Sequence, residues 1–360
     1  VSWSIKIARV GGIDIFIHLT FVLLVAWVAI ARYAEHQSLA EAAYGLTFIL
    51  SVFAIVVLHE LGHAMAARWF GIPTRDITLY PIGGVARLER IPEDPKQEFI
   101  VAIAGPLVNV VLASLLYLLL SQVPDPAVLD RVEKVGSKLM AELFWVNVGL
   151  VVFNMIPAFP MDGGRVLRAV LAMFLPHVRA TQIAATLGQA FAFVLGFWGL
   201  MSGSPIPIFI AFFVWMAAAQ ESHHVSVKSA LAGVPVSDAM ITRYQTLQPN
   251  QPLRDVVELI LSGFQQDFPV TRQGEVVGML TRNDVVERLK SQGEEIPVEQ
   301  AMTSHFSTAD PFETLERAFF RLQECECHSM PVIHRGQLVG LLTPENVGEF
   351  LMLRDAIRTR

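Results

Sequence analysis

The sequence predicts a polytopic α-helical membrane protein of about six transmembrane helices, followed by a soluble α+β domain. Three observations carry that prediction. Hydrophobic side chains make up 53% of the 360 residues and charged ones only 17%, and the mean hydropathy of +0.48 is high for a soluble globular chain. Nearly all the long apolar runs lie before about residue 220. The stretch after them has ordinary soluble composition and repeats itself once.

A helix needs about 17–25 mainly apolar residues to cross the hydrocarbon core. Runs at 14–33, 43–68, 98–121, 140–157, 183–202 and 205–220 meet that length, the fourth and sixth only just. Lys6 and Arg9 precede the first run and no small-residue cleavage site follows it, so it reads as a retained span rather than a signal peptide. Basic loop residues set orientation. Lys6, Arg9, Arg68, Arg75, Arg87, Arg90, Lys96, Arg165, Arg168 and Arg179 fall on one side, against Arg32, Arg131, Lys134 and Lys138 on the other. That bias predicts a cytoplasmic N-terminus, and six spans return the C-terminus to the same side. The net charge of −6, with no basic patch, argues against a nucleic-acid partner. Cys325 and Cys327, one residue apart, are poorly placed to pair and read as reduced thiols.

The second run holds the segment "IVVLHELGHAM" (55–65). Histidines at i and i+4 share a helix face, so His59 and His63 can share one ion. Glu60 is displaced around the helix and can reach a water on that ion without ligating it, the logic of the H-E-x-x-H zinc peptidases. Three ionisable groups inside an apolar span need partners and a purpose. The structural alternative is a hydrogen-bonded cluster between helices.

A catalytic zinc takes a third protein ligand and keeps one position open. The best candidate is Asp162 in "FNMIPAFPMDGGR" (153–165). Pro157 and Pro160 cannot both sit in an intact helix, and Gly163 with Gly164 permits a sharp turn. Asp162 is therefore expected on irregular backbone near the cytoplasmic end of span four. Span two runs outside to inside, which puts His59 and His63 toward the same end. Irregular backbone at that depth requires protein or a water-filled cavity around it.

The segments "HELGH" (59–63), "AGPLVN" (104–109) and "NMIPAFPMDGG" (154–164) together resemble the site-2 proteases, intramembrane zinc metalloproteases of regulated intramembrane proteolysis. The resemblance covers the core of the first 220 residues. It implies one Zn²⁺ per chain on His59, His63 and Asp162, with Glu60 as general base. It also implies that Asn154 contacts the scissile region of the substrate or steadies the oxyanion, beside the plainer role of satisfying freed backbone groups. Asn109 in span three can bond across the helix interface and reads as packing rather than chemistry, and His18 and Asn147 read as interhelical hydrogen-bonding groups within spans one and four. His177, His223 and His224 fall in expected loops. The segment "ITLYPIGGVARLER" (77–90) reads as a hairpin or re-entrant loop. One of its strands could offer an edge to an unwound substrate, or the loop could simply cap the cavity.

Residues 236–289 and 298–351 align without gaps, "PVTRQGEVVGMLTRNDV" (269–285) returning as "PVIHRGQLVGLLTPENV" (331–347). Each unit reads as short helix, strand, helix, two strands joined at Gly274 or Gly336, and a final helix. This resembles a tandem pair of CBS domains, which implies clefts for adenine nucleotide, ATP first, and dimerisation through the pair. The family's Thr-x-x-Asp pattern appears as Thr281 with Asp284, and as Thr343 with Asn346 in the departing second copy. The expected organisation is a membrane core over 1–222, a linker over 223–235, and repeats over 236–292 and 293–360.

The combined expectation is a multi-pass prokaryotic plasma-membrane protease. It would cut transmembrane or juxtamembrane segments of protein substrates under control of its cytosolic CBS pair. The rival is a CBS-gated metal-ion transporter or channel, in which the same polar residues line an ion path. Glu60 in hydrolase spacing, the break after span four and the lack of an inverted repeat weigh against it.

Overall fold

A computed structural model describes residues 3–81, 83–88, 94–122, 131–325 and 328–358. The chain divides into two units, Val1–Val225 and Ser226–Arg360.

The first unit opens with strands, not with a span. Strands β1 (Ser4–Val10) and β2 (Ile13–His18) precede helix α1 (Leu19–His36). The expected start of span one at residue 14 is thereby corrected: the apolar run 13–17 alternates its burial and belongs to a sheet. His18, expected inside that span, is instead the N-cap of α1 and accepts from the Thr20 N–H at 3.3 Å. Helix α2 (Leu39–Trp69) follows, then strands β3 (Thr74–Tyr80) and β4 (Gly83–Leu88). The hairpin read at 77–90 is present as β3 and β4, although Ile82, Glu89 and Arg90 lie outside the described residues. The four strands form one sheet in the order β1-β2-β3-β4, with β2 and β3 parallel and the other pairs antiparallel. Ile13 and Ile77 pack the sheet onto Ala64 of α2, while Leu79 joins Phe21 of α1 and Phe53 of α2. The sheet thus lies on the helix that carries the HELGH segment.

Helices α3 (Pro95–Leu120), α4 (Arg131–Asn154), α5 (Asp162–Ala172), α6 (His177–Ser202) and α7 (Pro205–Leu231) complete the unit. Among the described residues, six helices are long and apolar enough to cross a membrane: α1, α2, α3, the part of α4 from Val135, α6 and α7. Pro157 and Pro160 fall in the break between α4 and α5, as their lost donors require. Asp162 is not on irregular backbone, however: it is the first residue of α5. A Cβ on Gly163 would lie 2.3 Å from the Ile156 carbonyl oxygen, and one on Gly164 2.6 Å from Ala158. The two glycines serve close packing of α5 on the preceding loop rather than a turn. His177 opens α6, and His223 with His224 sits within α7, so none of the three is in a loop. The expected linker 223–235 is helical as far as Leu231.

Arg168, counted among loop charges in the sequence, is fully buried on α5. Its Nε donates to Glu98 Oε1 of α3 at 2.6 Å and its Nη1 to Glu221 Oε1 of α7 at 2.5 Å. Its guanidinium lies 4.9 Å from the centre of the Phe159 ring.

In the second unit the first repeat holds the short 3₁₀ turn Val236–Asp238, helix α8 (Leu253–Ser262), strands β5 (Phe268–Arg272) and β6 (Glu275–Leu280), and helix α9 (Arg282–Gln292). The second holds α10 (Val298–Ala301), α11 (Leu315–Glu324), β7 (Met330–His334), β8 (Gln337–Leu342) and α12 (Pro344–Arg358). The additional strand expected before α8 and α11 reduces to single bridges, Leu247 to Val270 and Ala309 to Val332. Gln273–Gly274 and Arg335–Gly336 all have positive φ, the conformation that closes a two-residue hairpin. The repeats interlock. Ile241 bridges Leu341 and Met279 bridges Thr303, each element thus pairing with the other repeat. Gly278 likewise faces Met302 and Gly340 faces Met240. Cys325 is disulfide-bonded, which corrects the reading of it as a reduced thiol; the chain's other cysteine, Cys327, lies outside the described residues. Helix α11 ends at Glu324, with Cys325 as its C-cap.

Candidate metal centre

Helix periodicity brings His59 and His63 to one buried face of α2, and the first turn of α5 brings Asp162 to them. The Nε2 atoms of the two histidines are 3.1 Å apart, and each is 3.2 Å from Asp162 Oδ2. Both rings are held from behind. His63 Nδ1 lies 2.7 Å from the Val101 carbonyl oxygen of α3, a group that can only accept, so Nδ1 carries the proton and donates. His59 Nδ1 donates in the same way to Asn109 Oδ1 at 2.5 Å. Each Nε2 is then a bare lone pair, and two lone pairs and a carboxylate at these distances repel one another unless a cation lies among them.

That donor set fits zinc. Two imidazoles and a carboxylate are among its usual protein ligands, and a tetrahedral ion with bonds of about 2.0–2.2 Å sets its donors about 3.3 Å apart, close to the spacing here. Among the described residues these three are the grouping of histidine, cysteine and acidic side chains with metal-binding geometry. The packing also leaves room: a Cβ on Gly105 of α3 would lie 2.2 Å from His63 Nε2, and one on Gly62 of α2 2.8 Å from the Ala104 carbonyl oxygen. Small residues at these two positions let α2 and α3 approach.

Glu60 follows His59 on α2 and is half-buried. A Cβ on Gly84 of β4 would lie 2.9 Å from its Cγ and 3.7 Å from its Cδ, so β4 passes directly over this side chain. Asn154 ends α4, half-buried and outside the hydrogen-bonded cluster. Asn109 and Asn147 do more than fill space. Both are fully buried, and Asn109 Nδ2 donates to Asn147 Oδ1 at 2.9 Å. The sequence signal for Asn109 was its motif. Asn147 gave only a polar residue in an apolar run.

In the second unit, Thr281, Thr343 and Asn346 line a cleft of about 400 Å³ together with Asp267, Arg282 and His328. Asp284 is absent from that lining. It closes a capping box at the start of α9, its Oδ2 accepting from Thr281 N at 3.0 Å and Thr281 Oγ1 at 2.7 Å. Asn346 Nδ2 donates to the Ala239 carbonyl at 2.9 Å, a structural bond of the kind the substituted aspartate could not make when ionised.

Apolar spans around a cation-seeking donor set describe a multi-pass membrane metalloenzyme. Comparison with known proteins gives the family. Residues 47–142 and 132–195 match peptidase family M50, and residues 236–291 and 298–352 each match the CBS domain. The chain is 35% identical over 280 residues to a zinc metalloprotease of Methanocaldococcus jannaschii, covering 78% of both proteins. It is 24% identical over 249 residues to the stage IV sporulation protein FB of Bacillus subtilis, covering 66% of this chain and 82% of that one. Among solved structures, the site-2 protease from M. jannaschii is 36% identical and matches with a TM-score of 0.45, over 61% of this chain and 95% of the other. The chain belongs to peptidase family M50: it is a multi-pass zinc metalloprotease of the site-2 type with a C-terminal CBS pair. The ion-transporter alternative is not favoured.

Proposed function

We propose that His59, His63 and Asp162 hold a single zinc ion and that Glu60 is the proton carrier for hydrolysis of a peptide bond in a transmembrane or juxtamembrane segment of a protein substrate. The observation that carries this reading is the convergence of two Nε2 lone pairs and a carboxylate oxygen within 3.2 Å. Zinc, when bound there, supplies a Lewis acid and lowers the pKa of water. Glu60 accepts the proton of the attacking water and delivers it to the leaving amine, so that neither hydroxide nor an amide anion has to form free. Asn154, at the end of α4, offers its amide N–H to the substrate carbonyl.

A helix hides its carbonyls in its own hydrogen bonds, so a substrate has to unwind first. Strand β4 is an outer strand of its sheet and its Gly84 lies against Glu60. An unwound substrate added to that edge would be held as a strand beside the base. The loop charge bias supports a cytoplasmic N-terminus and cleavage near the cytoplasmic face of a prokaryotic plasma membrane, as in regulated intramembrane proteolysis.

The cleft between Thr281 and Thr343 is large enough for an adenine nucleotide, which would regulate cleavage from the cytosol, and CBS pairing would make the enzyme a homodimer or larger assembly. Equilibrium dialysis of the full chain against ATP, ADP and AMP tests the first point; binding of none of them removes it.

The deciding experiment pairs zinc content with cleavage of a model membrane substrate for the native chain and Glu60→Gln. About one zinc per chain in both, with cleavage lost by about 10²–10⁴-fold in the variant, is expected. A Glu60→Gln chain that still cleaves would remove Glu60 from the mechanism, and a native chain without zinc would remove the centre.

A further inference from the structure

The hydrogen bonds behind His59 do not stop at Asn109. They run on to α4 and end on the backbone. Asn147 Nδ2 donates to the Leu143 carbonyl at 2.8 Å, Asn109 Nδ2 donates to Asn147 Oδ1 at 2.9 Å, and His59 Nδ1 lies 2.5 Å from Asn109 Oδ1. Asn109 and Asn147 are both fully buried. A backbone carbonyl has no proton to give, so the direction of the chain is fixed from its far end. Leu143 orients the Asn147 amide with its nitrogen toward the helix and its oxygen toward Asn109. That oxygen accepts, which turns the Asn109 amide nitrogen toward Asn147 and its oxygen toward His59. The Asn109 oxygen accepts in turn, which holds the proton of the neutral imidazole on Nδ1 and leaves Nε2 bare.

We propose that Asn147 is a positioning residue of the metal centre, acting through Asn109 to lock His59 in its ligating tautomer. This rests on the zinc site proposed above. Without the Asn147 oxygen, the Asn109 amide has no fixed sense. Once flipped, it presents its NH₂ to His59 Nδ1, the proton moves to Nε2, and the ring can no longer ligate. His63 needs no such device, because Val101 offers it a backbone carbonyl directly. His59 is the ligand whose partner is a side chain with two faces, and a second side chain has to choose between them.

Second-layer partners of metal-bound histidine are typically worth about 10–100-fold in metal affinity. The test is zinc affinity of the full chain in detergent, measured by competition with a chelating dye, for Asn147→Leu and Asn147→Asp. Leucine fills the same volume but offers no acceptor. Aspartate keeps an oxygen toward Asn109 whether or not it is ionised. The expected result is a 10–100-fold loss for leucine and a loss of no more than a few-fold for aspartate, with matching broadening of the visible spectrum of the cobalt-loaded leucine variant. If Asn147→Leu does not fold, Asn147→Ala gives up the same acceptor and carries the same expectation. A packing role predicts the opposite order, leucine tighter than alanine and indifferent to the acceptor. Zinc affinity unchanged in the leucine or alanine variant, or aspartate falling with them, would overturn the proposal. A native chain that takes up no zinc at all would instead overturn the site it rests on.

Discussion

A Cβ placed on Gly105 would lie 2.2 Å from Nε2 of His63. A single methyl group there would overlap the His63 ring itself, its nearest contacts being Nε2, Cε1 and Cδ2 of that ring. Gly105→Ala is expected to push the His63 ring out of place and lower cleavage by about 100-fold or more, as a 1 Å displacement at a reacting centre can. Zinc content and thermal unfolding of the purified variant check this. A Gly105→Ala chain with native zinc content and activity would mean that α3 shifts freely and that the close approach is incidental.

Gly84 stands over Glu60 in the same way, but from the sheet. Gly84→Val is expected to leave zinc content unchanged while reducing cleavage at least about tenfold, because it crowds Glu60, the proposed proton carrier, and not the proposed ligands. Loss of zinc in this variant would show that the sheet supports the metal site itself.

Substitution of proline along 83–88, one position at a time, probes the outer edge of β4. Proline removes a donor, and where that donor points outward it weakens strand addition without breaking the pairing with β3. KM for a membrane substrate should rise at alternate positions. Cleavage unchanged at every position, in chains that still fold, would exclude the edge as a docking strand.

Arg168 is a fully buried cation held by Glu98 and Glu221. Arg168→Met leaves Glu98 buried without its partner and should cost about 3–5 kcal/mol of stability. It should also loosen α5, which carries Asp162 about 1.7 turns away. Thermal unfolding in detergent measures the first effect and zinc retention the second. A fall in melting temperature without zinc loss would confine Arg168 to folding.

Burial raises the Asp267 carboxyl above the usual carboxylate range, against the hydrogen bonds from Ser329 and the Arg282 backbone; nearby His328 also opposes the rise and Glu345 adds to it. The folded chain therefore binds this proton more tightly than the unfolded chain does. Stability from the protonated form is fully present below the ordinary value of about 4 and is lost as pH rises through the raised one. Amide exchange over β5 in the full chain should accelerate across that window beyond its intrinsic pH dependence, and Asp267→Asn should flatten the change. A flat native profile would mean the carboxyl is solvated.

The long helices, the paired histidines and the repeat are legible from sequence alone. Each of these is periodic within one stretch of chain. Apolar runs of span length, an i, i+4 pair and a gapless self-alignment need no knowledge of distant neighbours. Asp162 could be named as the candidate third ligand because Pro157 and Pro160 break the helix just before it, although its own backbone is helical. Tertiary structure decided the rest. Ile13–His18 looks apolar enough to be span, and pairing with Ser4–Val10 on one side and, across two intervening helices, with Thr74–Tyr80 on the other makes it a strand. Arg168 looks like a loop charge until Glu98 and Glu221 close on it. Asn147 is one polar residue in an apolar helix until α3 sets Asn109 beside it. Hydrogen bonds between residues 38 and 50 positions apart depend on how helices pack, and no local pattern records which face a helix turns to its neighbour.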